Sequence, residues 1–260
     1  MVSLFINFMK LNMSKKFLYF DTETTDLQIK DILQLAFITD SDISLNLFFK
    51  PKQEISVGSM AIHHITPEDV KDLRYFEDTL LPKENIDPDF KGETLKEYIK
   101  FLAEEYIWVA HNVKFDTETL KRQGLEIPNT ICTLKVARHS LTNEDRDLEH
   151  YSLQFLRYYL KLYLTEDKTH TTAHDALSDV YFLRDLFHYI QENTKLTTEQ
   201  MQVISKQPMM IREMTFGKYK GLTFKEIKKI DTEYLQWAVQ AMDDKPELIW
   251  NMQRVLDSSD

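Results

Sequence analysis

Two carboxylates at the end of an apolar run are the residues whose types and spacing first suggest chemistry. Residues 17–20 (FLYF) predict a short buried strand, and Asp21 and Glu23 follow with Thr22 between them. Because side chains alternate along a strand, both acids leave in one direction. Paired like charges favour a divalent cation, and oxygen ligands suit Mg²⁺ or Mn²⁺. The alternative is a polar turn whose acids are simply solvated.

A second candidate segment follows a predicted strand at residues 107–110. In the sequence HNVKFD, Asn112 and Asp116 are four residues apart, so they share one face of the helix that begins there. Asp116 would add a carboxylate to the same region. A helix N-cap explains Asn112 equally well, because asparagine is a preferred capping residue.

A third segment, AHDALSD, carries His174 and Asp179 at residues 173–179. Five residues correspond to about 140° on a helix at roughly 100° per residue, so the two side chains would diverge. If both serve one site, His174 must therefore precede the helix while Asp179 lies on it. Asp175 is the competing acid, being four residues from Asp179, although an acid in a first turn is also favoured by the helix dipole.

The overall composition limits the classes of function. The chain has 260 residues, a formal net charge of −10 and five glycines, and it contains no glycine-rich phosphate loop. A net negative charge repels nucleic acid at long range, so a polyanionic substrate would need cations or a local basic patch. The single cysteine, Cys132, excludes an internal disulfide and a cysteine-based zinc cluster. Because that cysteine content suits a reducing cytoplasm, we expect a cytoplasmic protein. We expect no membrane span from residues 1–13, because this apolar stretch is too short.

The elements that must position these residues form an α/β pattern. Strands are predicted at residues 17–20, 32–38, 43–49, 107–110 and from 131, and amphipathic helices at 94–106, 112–123, 152–160 and 173–193. Short connections between the first three strands indicate an antiparallel meander. The pattern therefore predicts a mixed sheet covered by helices.

The predicted domain boundaries are an extension at 1–12, a main domain at 13–193, a linker at 194–208 and a small C-terminal module at 209–260. The module begins with a predicted hairpin at 212–224, followed by helices at 231–242 and 246–256. Residues 211–229 hold one arginine and five lysines against two glutamates. With Phe216, Tyr219 and Phe224 interleaved, the hairpin suits single-strand binding; the alternative is a hairpin that packs on the protein with its lysines solvated. We expect the module to add affinity and a truncation after Lys206 to leave a folded protein.

Taken together, the three segments resemble the exonuclease motifs of the DEDD superfamily in its histidine-containing (DEDDh) branch. The resemblance covers residues 17–190 and includes MAIHHIT at 60–66 and SLQFLRYYL at 152–160. Residues 216–221 and 234–237 are also similar to a small accessory module. The tyrosine-type third motif does not fit, because Asp175 stands four residues before Asp179. The resemblance implies a ribonuclease H-like fold: a five-stranded mixed sheet with one antiparallel strand, flanked by helices.

The resemblance also implies a catalytic set consisting of Asp21, Glu23, Asp116, His174 and Asp179. The four carboxylates would hold two Mg²⁺ ions, which Mn²⁺ could replace, roughly 3.5–4 Å apart around the attacking and leaving oxygens. His174 would deprotonate the attacking water, and 5′-mononucleotides would be released.

Four residues are candidates for substrate binding: Thr24, Leu27, His63 and Asn112. Leu27 would act as a wedge or stacking surface for the terminal base, or alternatively close the end of the sheet. His63 could contact the last nucleotide, whereas its neighbour His64 is assigned a structural role.

The leading functional hypothesis is a 3′→5′ exodeoxyribonuclease of DNA repair or proofreading that acts on DNA 3′ ends, single-stranded by preference. An exoribonuclease of the same branch would act on RNA, and the two differ in their tolerance of a 2′-hydroxyl. A non-catalytic nucleic-acid-binding subunit associated with a polymerase is the hypothesis from another class. A polymerase or repair protein is accordingly an expected partner.

Overall fold

The computed structural model describes residues 16–82, 84–143, 146–166 and 176–258. The predicted N-terminal extension at 1–12 lies outside these ranges, as do the candidate base His174 and its competitor Asp175.

Five strands form one mixed sheet in the order β3-β2-β1-β4-β5. Their bounds are Phe17–Thr24 (β1), Ile32–Thr39 (β2), Ser44–Phe48 (β3), Ile107–Ala110 (β4) and Thr130–Cys132 (β5). Strand β2 runs antiparallel to both of its neighbours, β1 and β3, whereas β1 and β4 are parallel. The antiparallel meander and the mixed sheet predicted from the sequence are confirmed, and helices flank the sheet as expected.

Eleven α-helices lie in the described residues. Their bounds are Val57–His63 (α1), Pro67–Val70 (α2), Leu95–Glu105 (α3), Val113–Arg122 (α4), Thr133–Ser140 (α5), Leu153–Tyr159 (α6), Ala176–Asn193 (α7), Thr198–Lys206 (α8), Phe224–Ile230 (α9), Thr232–Ala241 (α10) and Pro246–Asp257 (α11). Short 3₁₀ turns lie at Phe76–Asp78 and Leu162–Leu164. The described part of the chain holds no helix with the length and apolarity needed to cross a bilayer.

The chain divides into two compact units. The first comprises residues 1–131 and 167–184, and it holds nearly all of the sheet. Its centre is aromatic: Phe20 and Trp108 are fully buried, and their ring centroids are 4.8 Å apart in an edge-to-face arrangement. Helix α3 contributes one apolar face to this core, including Tyr98 and Leu102. A tightly packed core below the sheet fixes the strand ends, from which the candidate site is built.

The second unit comprises residues 132–166 and 185–260. Its C-terminal part has its own core, made of Met214, Tyr219, Phe224, Ile227, Leu235, Ala238, Leu248, Met252 and Val255. Two of the three aromatic rings expected to stack on bases, Tyr219 and Phe224, are therefore buried, and Phe216 packs against the same cluster. The segment at 212–224 makes a single antiparallel bridge, between Glu213 and Thr223.

Candidate active site

Strand β1 extends past the end of β4, and this overhang creates the site. The parallel pairing with β4 stops at Tyr19, whereas β1 itself continues to Thr24. At Thr22 the backbone N–H and the hydroxyl both donate to Asp116 Oδ1, at 3.1 and 2.8 Å. Asp116 lies in the first turn of α4 and is 2 % exposed. The end of one buried strand and the start of one helix are thus joined through a carboxylate.

Asp21 is the carboxylate on which the other acids around this junction act. Burial raises the pKa of Asp21 well above its usual value, and the charges of Asp116, Glu23 and Asp179 raise it further. Burial likewise raises the pKa of Asp116 to about 7, although the hydrogen bonds from Thr22 lower it. The four predicted acids therefore form one electrostatic cluster. Such mutual repulsion is relieved when a cation binds between the carboxylates.

The donor set fits a hard divalent cation, because all four side chains offer carboxylate oxygens. Among the residues that the structure describes, however, no three histidine, cysteine, aspartate or glutamate side chains are already arranged to hold a metal ion. The observation in favour of a cation is therefore the shared repulsion, rather than a completed coordination sphere.

Lys30 is a buried cation beside the cluster. It is 9 % exposed, its Nζ atom lies 2.6 Å from Glu118 Oε2, and it lies 4.6 Å from the centroid of the Phe115 ring. Its charge lowers the pKa of Asp116, which opposes the effect of burial. Lys30 thus favours the ionised form of Asp116, which is the form that binds metal.

The loop after β1 is fastened to α4 and presents Leu27 to solvent. Besides the Lys30–Glu118 pair, Arg122 Nη2 donates to the carbonyl of Gln28 at 2.9 Å. Leu27 is 76 % exposed, so it does not close the end of the sheet. Thr24 is buried, and its hydroxyl donates to the carbonyl of Asp26 at 2.9 Å.

The remaining substrate-binding candidates have contrasting surroundings. Asn112 is exposed, has φ 74° and makes no side-chain capping hydrogen bond, so the capping explanation does not account for its side chain. His63 is buried, and its Nδ1 atom accepts a hydrogen bond from Ile65 N at 3.0 Å. Burial lowers the pKa of His63. His64, assigned a structural role from the sequence, is exposed with φ 60° at the end of α1. The substrate contacts of these residues stay predictions.

Sequence reasoning did not find Thr22 or Lys30. Strand alternation turns Thr22 away from Asp21 and Glu23, and the pattern gave it no role, although it binds Asp116. A single lysine nine residues after Asp21 has no characteristic spacing. Its role depends on a loop conformation with φ 54° at Lys30 itself, which the sequence pattern does not reveal.

Comparison with protein families gives two matches. The family described as Exonuclease matches residues 18–187, a range that includes Asp21, Glu23, Asp116 and Asp179 as well as His174. The family described as Exodeoxyribonuclease X-like C-terminal matches residues 214–243.

Individual relatives agree with these families. The chain is 31% identical over 245 residues to Exodeoxyribonuclease 10 of Escherichia coli strain K12, which covers 92% of this chain and 98% of that protein. The same values apply to Exodeoxyribonuclease 10 of the strain O6:H1. A solved structure of exonuclease X in complex with 5′ overhanging duplex DNA is 29% identical and has a TM-score of 0.52. That match covers 73% of this chain and 99% of the other.

Proposed function

The chain belongs to the exonuclease family that its residues 18–187 match, and from this premise we propose that its carboxylate cluster performs 3′→5′ exonucleolytic hydrolysis of DNA. It is a DNA exonuclease, in keeping with its relatives named Exodeoxyribonuclease 10 and exonuclease X. The observation that carries the proposal for the site is the mutual repulsion of Asp21, Glu23, Asp116 and Asp179. A cluster of repelling carboxylates lowers the stability of the fold. Arrangements that cost stability in this way concentrate at functional sites, which supports a role in metal binding.

We assign the four carboxylates to metal binding, with Mg²⁺ as the proposed ion. When bound, divalent cations would neutralise the charge that develops on the scissile phosphate and on the leaving 3′ oxygen. The protein itself contributes three things: carboxylates held by the end of β1, by α4 and by α7, the Thr22 hydrogen bonds that orient Asp116, and the charge of Lys30. His174 keeps the role of general base as a proposal, because its imidazole can accept a proton near neutral pH.

The proposed substrate is a DNA 3′ end, either single-stranded or recessed in a duplex. Support for the duplex form is that the related exonuclease X was solved with 5′ overhanging duplex DNA. The exposed Leu27 lies on the loop directly after the metal-binding residues, where it can contact the terminal base. Because Cys132 is the only cysteine and is free and buried, we propose a reducing compartment such as the cytoplasm as the place of action.

The test is mononucleotide release from 3′-labelled substrates. Single-stranded DNA, 5′-overhanging duplex DNA and RNA of the same sequence are compared with Mg²⁺, Mn²⁺ and excess EDTA. We expect metal-dependent release of 5′-mononucleotides from DNA, and nearly complete loss of turnover in Asp21→Asn and Glu23→Gln. Full activity of either variant, or activity in EDTA, would contradict the metal assignment. Faster release from RNA would instead favour an exoribonuclease.

A second variant tests the base. His174→Ala should reduce the rate of the chemical step by roughly 10²–10⁴-fold while leaving the affinity for DNA nearly unchanged. Recovery of part of the rate at high pH, where hydroxide is more abundant, supports the role. An unchanged rate would mean that another group is the general base. Asp175→Asn would then be the next variant to test.

A further inference from the structure

The second unit contains a cavity of about 240 Å³ that none of the site residues lines. It lies between the end of α5, residues 210–212, the start of α9 and the C-terminal half of α11. Its lining residues are His139, Met210, Ile211, Arg212, Thr223, Phe224, Lys225, Arg254 and Val255. The lining is therefore part apolar and part basic, and none of these nine residues is acidic.

Among the basic residues that line the cavity, Arg212 is held in place by hydrogen bonds within the protein. Its guanidinium donates to Asp147 Oδ1 at 3.1 Å and to the carbonyls of Arg138 and His139 at 2.6 and 2.9 Å. Its backbone N–H also donates to Asp147 Oδ2 at 2.9 Å. Asp147 is thus committed to Arg212 and lies 4.0 Å from Arg138, so it leaves little negative charge for the other cations of the cavity.

Arg254 differs from Arg212 in its surroundings. In the described part of the chain its contact is with the Trp250 ring, whose centroid lies 5.6 Å from the guanidinium carbon, and no carboxylate forms an ion pair with it. Arg254 is exposed, and partial desolvation together with the charge of Arg212 lowers the pKa of its guanidinium. Burial lowers the pKa of His139, and the charges of the same two arginines lower it further. The cavity therefore brings like charges together, which costs free energy unless an anion is present.

His139 gives a second observation that points to a ligand. Its Nδ1 atom is buried and has no hydrogen-bond partner among the described residues. Leaving a buried polar atom of a ring without a partner is costly and uncommon in folded proteins. Together with two guanidinium groups, an imidazole at the wall of a small cavity matches the chemistry of an oxyanion site.

We propose that this cavity binds a phosphate group. The inference goes beyond the proposed function, because the cavity lies in the unit that holds none of the four carboxylates and its test needs no catalysis. A phosphodiester of the DNA strand and the phosphate of a released mononucleotide present the same chemistry, so either could occupy it. Arg254 is the residue that binds the phosphate. Arg212 supplies a second positive charge, which its hydrogen bonds hold in place.

The experiment measures binding by the full chain in EDTA, where no cleavage occurs. Three ligands are used: a fluorescein-labelled oligothymidylate at several salt concentrations, thymidine 5′-monophosphate and inorganic phosphate. Arg254→Gln is compared with Lys229→Gln, which removes one positive charge from an exposed position of α9 that does not line the cavity. Arg254→Lys keeps the positive charge at that position. Lys225→Gln removes a positive charge from another residue that lines the cavity, at the start of α9. Thermal unfolding of each variant shows that it is folded.

We expect Arg254→Gln to weaken binding of at least one ligand by roughly tenfold and Lys229→Gln to change it little. If the ligand is the DNA strand, the log–log salt slope also falls by about one in Arg254→Gln, and the two small ligands bind weakly to every variant. If it is the free product, the small ligands bind the native chain and lose affinity in the variant. Equal affinities of Arg254→Gln and Lys229→Gln for all three ligands would overturn the proposal, whatever the outcome of the nuclease assays.

Discussion

Asp21 carries the clearest thermodynamic consequence of a single residue. Burial and three neighbouring carboxylates raise its pKa, so its ionised form destabilises the metal-free protein at neutral pH. Because a raised carboxyl pKa in the folded state means that the fold holds more protons, this cost grows as pH rises above the unfolded pKa and is complete above the folded one.

Asp21→Asn should therefore raise the unfolding temperature of the metal-free protein at neutral pH while abolishing turnover. Each kcal/mol released corresponds to roughly 2–4 °C in a chain of this size. Added Mg²⁺ should stabilise the native chain and the variant unequally, with the larger gain in the native chain. Calorimetry in EDTA and in Mg²⁺ measures both effects, and the exposed Asp72→Asn is the control. A lower unfolding temperature for Asp21→Asn in EDTA would show that the carboxylates do not repel one another.

Lys30 permits a matched comparison of two lysines that share one partner. The Lys30 side chain is 11 % exposed and its Nζ atom pairs with Glu118, whereas the Lys114 side chain lies 3.9 Å from the same Glu118 and is 81 % exposed. Lys30→Met should raise the Mg²⁺ concentration for half-maximal activity by roughly tenfold, because a residue supporting a ligand is lost and the pKa of Asp116 rises. Lys114→Met should leave it nearly unchanged. Equal metal requirements of the two variants would remove Lys30 from the site.

The site residues divide by the kind of information that identifies them. Asp21, Glu23, Asp116 and Asp179 could be proposed from the sequence because their order along the chain resembles an exonuclease pattern, and the structure places their charges near one another. Lys30 could not, because its position depends on a tertiary contact with α4. The sequence could not decide whether Leu27 contacts the terminal base or closes the end of the sheet. Its exposure favours contact with the base.

At the scale of elements, a buried ion pair links α6 to Glu166, which lies just after the 3₁₀ turn at Leu162–Leu164. Arg157 Nε and Nη2 donate to the two oxygens of Glu166 at 2.7 and 2.6 Å, and the side chains are 8 % and 5 % exposed. A pair this buried gains little over an apolar pair, but a single partner left alone is costly.

Arg157→Met should therefore destabilise the fold by about 3–5 kcal/mol, because Glu166 would remain as an uncompensated buried charge. The double variant Arg157→Met with Glu166→Leu should recover most of that loss. Denaturant unfolding of the native, single and double variants gives the comparison. Similar stabilities of the single and double variants would mean that Glu166 reaches solvent when Arg157 is absent.

The elements themselves were predicted in proportion to the strength of their hydrophobic pattern. Strands β1 to β4 and the amphipathic helix α3 were found because their apolar residues follow the periods of strand and helix. Helix α9 was missed, although Thr223 and Glu226 form a capping box at its start. The aromatic residues of the preceding turn suggested base stacking, yet Tyr219 and Phe224 are core residues. Composition alone does not separate these two uses of an aromatic ring.

At the scale of the whole molecule, the compact units differ from the contiguous domains predicted from the sequence. Residues 132–166 belong with the C-terminal part of the chain. Arg146 shows why, since its guanidinium pairs with Glu213 at 3.3 Å and with Glu226 at 2.6 Å. Contacts between residues some 70 positions apart are invisible to hydrophobic periodicity. The predicted domain boundaries at residues 193 and 209 stay a prediction, because the compact units describe packing and do not test them.

Truncation after Lys206 should accordingly give a nuclease that is active but less stable than the full chain. The truncation leaves Asp147 and Arg146 without their partners Arg212, Glu213 and Glu226, while all four carboxylates remain. A lower unfolding temperature with retained release of mononucleotides is the expected result. Unchanged thermal stability would indicate that residues 132–166 form an independent fold, and complete loss of folding would mean that the tail is essential to it.

The distribution of methionine has a practical consequence for spectroscopy. Among the residues that the structure describes, four methionines are buried, namely Met201, Met210, Met214 and Met252, and all four belong to the second unit. Selective isotope labelling of methionine methyl groups would therefore give NMR signals whose best-ordered members report on that unit. Met210 lines the basic cavity, so its methyl resonance would shift on titration with phosphate, whereas Met201 would act as an internal reference. A single labelled amino acid could in this way follow ligand binding in the second unit without any measurement of catalysis.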